Sequence, residues 1–374
     1  MEAIDAFVGL DVHKDRISVA VAEAGRAGEV RLWGAIPNNG PAIDKLIKKL
    51  SDRHGTLEIV YEAGPCGYAV YRRISARGHV CRVVAPSCTP RKAGDRIKND
   101  TRDAIALARL LRAGELTFVW VPDEVHEAMR DLVRARHAAS NDLRRARQRI
   151  LSFLLKYGRR FERKLWGHIH RVWLADQSFD HPAQQITFQT YLNAEEQAAA
   201  RRGAIDEQLA GLLPHWSLAP VVEALQALRG VGFIVAVSMV AEIGDFHRFA
   251  SPRQLMAFLG VVPGEYSSGS SIRRRSITKT GNGALRALLF EAAWHYRLVP
   301  KVGQRLLRRR PSVPQAVKDI AWKAQVRLSG RYRKLVGRGK RSQIAITAVA
   351  RELLGFIWAI GCYVEPAGLQ PTTN

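Results

Sequence analysis

Cysteine is scarce in this chain, and the four residues present, Cys66, Cys81, Cys88 and Cys362, form no Cys-x-x-Cys pair and have no histidine pair at ligand spacing beside them. That pattern excludes a disulfide framework and a zinc module, and leaves buried thiols of a reducing cytosol. No basic segment followed by an apolar one opens the chain, so no secretory signal is expected. The last apolar stretch, residues 344–360, carries Arg351 and Glu352 at its middle, which is costly in lipid and ordinary in a packed amphipathic helix. No membrane span and no internal repeat are expected. Acids are outnumbered, with 34 Asp+Glu against 58 Lys+Arg, a net charge of +24 and a pI near 10.5. A field of that sign attracts polyanions, and nucleic acid is the commonest of them. What is plentiful is apolar content, 47% of 374 residues, enough for two or more cores.

Along the chain, residues 6–10, 17–22 and 30–35 read as three strands of a meander. A helix over 41–50, a strand over 57–61, a helix over 68–76 and a strand over 80–85 follow. Together they predict a mixed α/β sheet. After a basic loop at 91–98, the spacing of Ala104, Leu107, Ala108 and Leu111 predicts a helix over 101–113 that Thr101 could cap. Residues 122–157 contain no glycine and no internal proline, and read as a long basic helix with a coiled-coil-like return over 187–213. Arg144, Arg145 and Arg147 are its candidate phosphate contacts, although a basic helix face can also be merely solvated. Arg229-Gly230-Val231-Gly232 between two short apolar helices is similar to a helix-hairpin-helix turn, whose amides approach a phosphate. The expected division is 1–118, 119–215 and 216–374, an α/β domain, a helical arm and a mainly helical C-terminal domain.

Against this basic background four acids stand where strands and a helix begin or end. Asp11 closes the first strand, Glu62 closes the strand over 57–61, and Asp100 and Asp103 lie three apart at a helix start, hence on one face. Singly, each is an ordinary cap or solvated charge. Together they could hold two magnesium ions about 3.5–4 Å apart, the spacing that activates a nucleophile and stabilises a leaving oxygen. Repulsion among four carboxylates also calls for a cation between them.

A second constellation begins at Pro263-Gly264-Glu265-Tyr266-Ser267-Ser268-Gly269 and runs through Arg273, Arg274 and Arg275 to Ile277-Thr278-Lys279-Thr280-Gly281-Asn282. A hydroxyl-bearing loop, three arginines and a turn opening a helix suit the surroundings of a phosphate. Alone, Ser-Ser-Gly is most often only a turn.

Gly9-Leu10-Asp11-Val12-His13-Lys14, Tyr61-Glu62-Ala63-Gly64-Pro65 and Lys98-Asn99-Asp100-Thr101-Arg102-Asp103-Ala104 resemble the three acidic motifs of insertion-sequence transposases with an N-terminal Asp-Glu-Asp-Asp domain. That domain is similar to the RuvC-like Holliday-junction resolvases of the RNase H superfamily. Relatives include Piv-type invertases and bridge-RNA-guided recombinases. The serine block, with Leu259-Gly260-Val261-Val262-Pro263, resembles the family's second signature; Ser276 stands where a glycine is frequent. The resemblance implies an RNase H-like fold for residues 1–118 and a site-specific DNA recombinase acting as a homo-oligomer in a bacterial or archaeal cytoplasm at the nucleoid. It further implies Mg2+ on Asp11, Glu62, Asp100 and Asp103, a nucleophile at Ser268 with Ser267 as the fallback, and a structured noncoding RNA as guide. Competing readings are a junction-resolving nuclease in which the acids alone hydrolyse DNA, and a non-catalytic nucleic-acid-binding protein. An actin-like sugar kinase also opens with a strand and an aspartate, but no Gly-rich adenosine loop follows.

Overall fold

The computed structural model describes residues 3–25, 28–86, 89–90, 99–266, 274–308 and 312–364. Its chain divides into two compact units, Met1–Val121 and Pro122–Asn374.

In the first unit, strands β1 (Ala6–Val12), β2 (Arg16–Glu23) and β3 (Val30–Pro37) form the antiparallel meander. Helix α1 (Gly40–His54) then crosses to β4 (Leu57–Glu62), and α2 (Ala69–Ser75) to β5 (Val80–Val84), before α3 (Asp100–Ala113). The sheet order is β3-β2-β1-β4-β5, with β1, β4 and β5 parallel. Strand periodicity sorts the side chains. Val8, Leu10, Ile59 and Tyr61 bury on one face against Ile43, Leu46, Ile47 and Leu50 of α1. The other face presents Ala20, Ala22, Val60 and Val84 to the stripe Ala104, Leu107, Ala108 and Leu111 of α3. The small residues on that side bring α3 close. A β-carbon on Gly9 would overlap the carbonyl oxygen of Ala104 and approach the amide nitrogen of Ala108 to 2.6 Å.

The second unit begins with α4 (Glu124–Lys156), 33 residues or about 50 Å long, N-capped by Asp123, which accepts from the His126 amide. After α5 (His168–Ala175), helix α6 (Pro182–Leu212) returns antiparallel to α4, five residues earlier than its apolar pattern predicts because His181 and Pro182 start it. The pairing is visible in the ion pairs Arg136–Asp206, Asp142–Arg201 and Arg147–Glu195. Ile150, Leu154, Leu174 and Phe188 form a small core where α4 ends, with Phe153, Phe179 and Tyr191 around it. At the other end Met129, Val133 and Leu209 join the main core of the unit.

That core is built from α7 (Ala219–Leu225), α8 (Phe233–Ile243), α9 (Pro252–Phe258), α10 (Gly283–Ala293) and, after the short α11 (Gln304–Leu307), α12 (Gln315–Gly337) and α13 (Ser342–Tyr363), with a two-stranded hairpin, β6 (Pro263–Glu265) and β7 (Arg274–Ile277), between α9 and α10. By length and composition α13 could cross a membrane. Here it buries Ile346, Val349, Leu353, Ile357 and Ile360 in the core, while Glu352 at its middle pairs with Arg327 and Arg331 of α12. Among the described cysteines, Cys66, Cys81 and Cys362 are free thiols, and burial pushes Cys81 up to about 12 and Cys362 up to about 11. Cys88 lies outside the described residues.

Candidate functional site

Parallel pairing of β1 with β4 runs in register to Leu10 opposite Tyr61, so the next residues, Asp11 and Glu62, leave neighbouring strand ends side by side. By strand alternation both fall on the α3 face, Asp11 with Gly9 and Glu62 with Val60. Close packing of α3 over Gly9 brings the start of that helix to the same place. The helix begins at Asp100, and its cap is Asn99, whose side chain accepts from the Thr101 amide; Thr101 itself is the second helical residue. Asp100 and Asp103 sit in the first turn, where the helix dipole favours negative charge.

The tightest grouping includes a residue that the acidic pattern does not mark. His13 Nε2 lies 3.1 Å from Asp11 Oδ2 and 3.7 Å from Asp100 Oδ1. Ligand atoms of Asp11, His13 and Asp100 all fall within 4.8 Å of one another, a set able to hold a metal ion. The β1–β2 turn fixes His13: its amide donates to the Arg16 carbonyl and its own carbonyl accepts from the Asn38 side chain at 2.8 Å. Only its position two residues after Asp11 could have suggested it. Glu62 and Asp103 stand outside this trio. Burial pushes the Asp11 carboxyl above its ordinary range; hydrogen bonding and charge from His13 pull it back, and the charges of Asp100 and Asp103 push it up again. A half-buried carboxylate strained by two others is relieved by a divalent cation, and hard oxygen donors with one imidazole suit such an ion.

Of the second constellation, Ser267, Ser268 and Arg273 lie outside the described residues. Gly260 (φ 64°) and Gly281 (φ 68°) lie in tight approach to the backbones of Thr280 and Phe258, respectively, where no β-carbon fits. The Lys279 amide donates to the Gly260 carbonyl and the Thr278 amide to that of Val262. Arg286 gathers the carbonyls of Leu259, Thr280 and Gly281. Asn282 caps α10 by accepting from the amides of Ala284 and Leu285. Lys279 is held in a left-handed conformation, φ 59°, rare for a residue with a side chain. Arg274 opens β7, and the guanidinium of Arg275 covers the exposed Tyr266 ring at 4.9 Å. In the arm, Arg144 and Arg145 are exposed, whereas Arg147 is bonded to the buried carboxylate of Glu195 at 2.8 Å.

The mixed sheet with its acidic edge, followed by a mainly helical unit, fits a transposase with a DEDD nuclease domain. The domain model of that type, described as a transposase, matches residues 8–158, and the model described as "Transposase IS116/IS110/IS902 family" matches residues 222–306. Among similar proteins, "Putative transposase y4qE" of Sinorhizobium fredii is 53% identical over 357 residues, covering 95% of this chain and 88% of that protein. The "Transposase for insertion sequence element IS1533" of Leptospira borgpetersenii is 32% identical, covering 90% of this chain and 98% of that protein. The chain belongs to the IS110/IS116/IS902 family of insertion-sequence transposases.

Proposed function

We propose that this transposase is a site-specific DNA recombinase that mobilises its own element, cutting and rejoining DNA through a serine-linked intermediate. The observation that carries the reading is the meeting of Asp11 and Asp100, with His13 between them, at the end of β1 and the start of α3. Asp11, Glu62, Asp100 and Asp103 are the residues that would hold magnesium. When bound, the ion supplies Lewis acidity at a phosphate oxygen. The chain's own residues do the rest. The Ser268 hydroxyl, with Ser267 as the fallback, loses its proton and forms a P–O bond as the DNA P–O bond breaks, releasing a DNA hydroxyl. Attack by a second DNA hydroxyl on the phosphoserine reverses the exchange, so phosphodiester energy is kept for rejoining. Arg273, Arg274, Arg275 and Lys279 oppose the charge that develops on the phosphate.

The acids and the serine belong to different compact units, which supports a composite site assembled in a homo-oligomer, the acids of one subunit meeting Ser268 of another. The net charge of +24 and the exposed Arg144 and Arg145 support holding DNA and a structured guide RNA through phosphate and shape. The test combines protein, element-end RNA and junction DNA with magnesium and looks for a covalent protein–DNA adduct. Loss of the adduct in Ser268→Ala and its retention in Ser267→Ala is expected; equal adduct in both variants defeats the assignment. Cutting retained by Ser268→Ala would favour the hydrolytic, junction-resolving alternative.

A further inference from the structure

Between α4 and α6 lies a cleft of about 370 Å³ that the proposed strand exchange does not use. Arg144, Arg147, Gln148 and Leu151 of α4, Arg202 of α6 and the indole of Trp166 line it. Its size falls in the range of small-ligand pockets. Three arginines of these two helices are committed, Arg136 to Asp206, Arg201 to Asp142 and Arg147 to Glu195. Arg144 and Arg202 have no ion-pair partner among the described residues, and Nε of Arg202 is shut off from solvent without a hydrogen-bond partner. An unpaired guanidinium at a cavity wall is completed by an anion, and its planar fork matches a phosphate.

Trp166 adds a flat surface. It adopts φ 62°, a left-handed conformation unusual for a bulky residue, and its amide donates to Nδ1 of the buried His170 at 3.1 Å. The Arg147 guanidinium lies 4.7 Å from the indole centroid, itself anchored by the buried Glu195. Free cations beside a rigid aromatic and guanidinium stack form the combination that single-stranded nucleic acids use, phosphate on the cations and base on the π surface.

We propose that this cleft receives one unpaired nucleotide of a single-stranded nucleic acid, its phosphate on Arg144 and Arg202 and its base against the Trp166–Arg147 stack. The inference rests on the reading that the chain works on nucleic acid. RNA and DNA present the same chemistry here, so the experiment carries both. The full-length protein is titrated with labelled single-stranded RNA and DNA oligonucleotides containing 2-aminopurine, and with a duplex of equal length. Arg202→Gln is expected to weaken single-strand binding about tenfold, to lower the salt slope by about one, and to leave duplex binding within about twofold, and Arg144→Gln to weaken single-strand binding to a similar extent. Arg149→Gln, exposed on the same helix but outside the cleft, is expected to cost less than about threefold and to affect all forms alike. Quenching of 2-aminopurine by the wild type and its loss in the double arginine variant place the base; whichever strand type shows the effect is the source. Equal losses in Arg149→Gln and Arg202→Gln, quenching unchanged in the double variant, or no single-strand binding by the wild type overturns the cleft. Failure of the wild type to cut DNA, with arginine-dependent single-strand binding intact, defeats the recombinase reading and leaves the cleft standing.

Discussion

Gly9 on β1 lies so close beneath the Ala104 carbonyl of α3 that a β-carbon on it would overlap that oxygen. The contact sets the height of α3 over the sheet, and thereby where Asp100 and Asp103 stand relative to Asp11. Backbone on both sides leaves little room for adjustment. Gly9→Ala is therefore expected to destabilise the first unit by about 1–3 kcal/mol and to disperse the acids, read as a lower urea midpoint together with lost strand cutting. An unchanged midpoint would mean that α3 shifts freely.

Asp11 carries an unfavourable carboxylate that burial and two neighbouring acids press upward. Asp11→Asn is expected to leave thermal stability in EDTA unchanged or raised, and to remove the stabilisation that magnesium confers on the wild type. That stabilisation is about 2.7 kcal/mol at a hundred times the dissociation constant. Calorimetry with and without magnesium distinguishes the two proteins.

His13 bridges Asp11 and Asp100 from an exposed turn. Replacing it with glutamine is expected to weaken magnesium binding and cutting by about 10- to 100-fold while leaving the fold intact, because its backbone contacts to Arg16 and Asn38 remain. Isothermal titration with magnesium measures the first effect.

His126 and His170 have pKa values lowered chiefly by burial. Nδ1 of His170 accepts from the Trp166 amide, which favours its neutral form, while for His126 burial outweighs the bond of Nε2 to the Ala241 carbonyl at 2.9 Å, which favours the charged form. The unfolded chain takes up these protons near pH 6.5 and the folded chain only at lower pH. Stability is thus full above about pH 6.5 and falls as pH drops toward the folded values, with a slope approaching about 1.4 kcal/mol per pH unit for each histidine. Urea unfolding at pH 7.5 and pH 5 checks the sign; greater stability at pH 5 would contradict it.

Glu195 is buried and receives Arg147 at 2.8 Å, with Arg171 at 3.6 Å. Glu195→Gln leaves two cations without their shared carboxylate and is expected to cost about 1.5–3 kcal/mol, read by urea unfolding.

Much of the fold was legible because local rules decided it. The strands of the meander, the α1 stripe of Ile43, Leu46, Ile47 and Leu50, and the long α4 all follow from apolar period and from glycine and proline placement. The start of α3 was missed by one residue, since Asn99 and Thr101 are both able caps and only the observed hydrogen bond selects Asn99. The start of α6 was missed because the first turns carry few buried residues, so no stripe announces them.

What the amino-acid order alone determined is the inventory: four acids at strand and helix ends, a serine block, an excess of positive charge, and motifs sufficient to name the family. Tertiary structure alone decided which groups meet. Parallel register of β1 and β4 sets Asp11 beside Glu62, and the absent side chain at Gly9 lets α3 deliver Asp100 to His13. It also sorted the arginines of the arm, tying Arg147 to a buried carboxylate and leaving Arg144 and Arg202 without an ion-pair partner among the described residues, because an ion pair depends on what the returning helix places opposite, roughly fifty residues away in the chain.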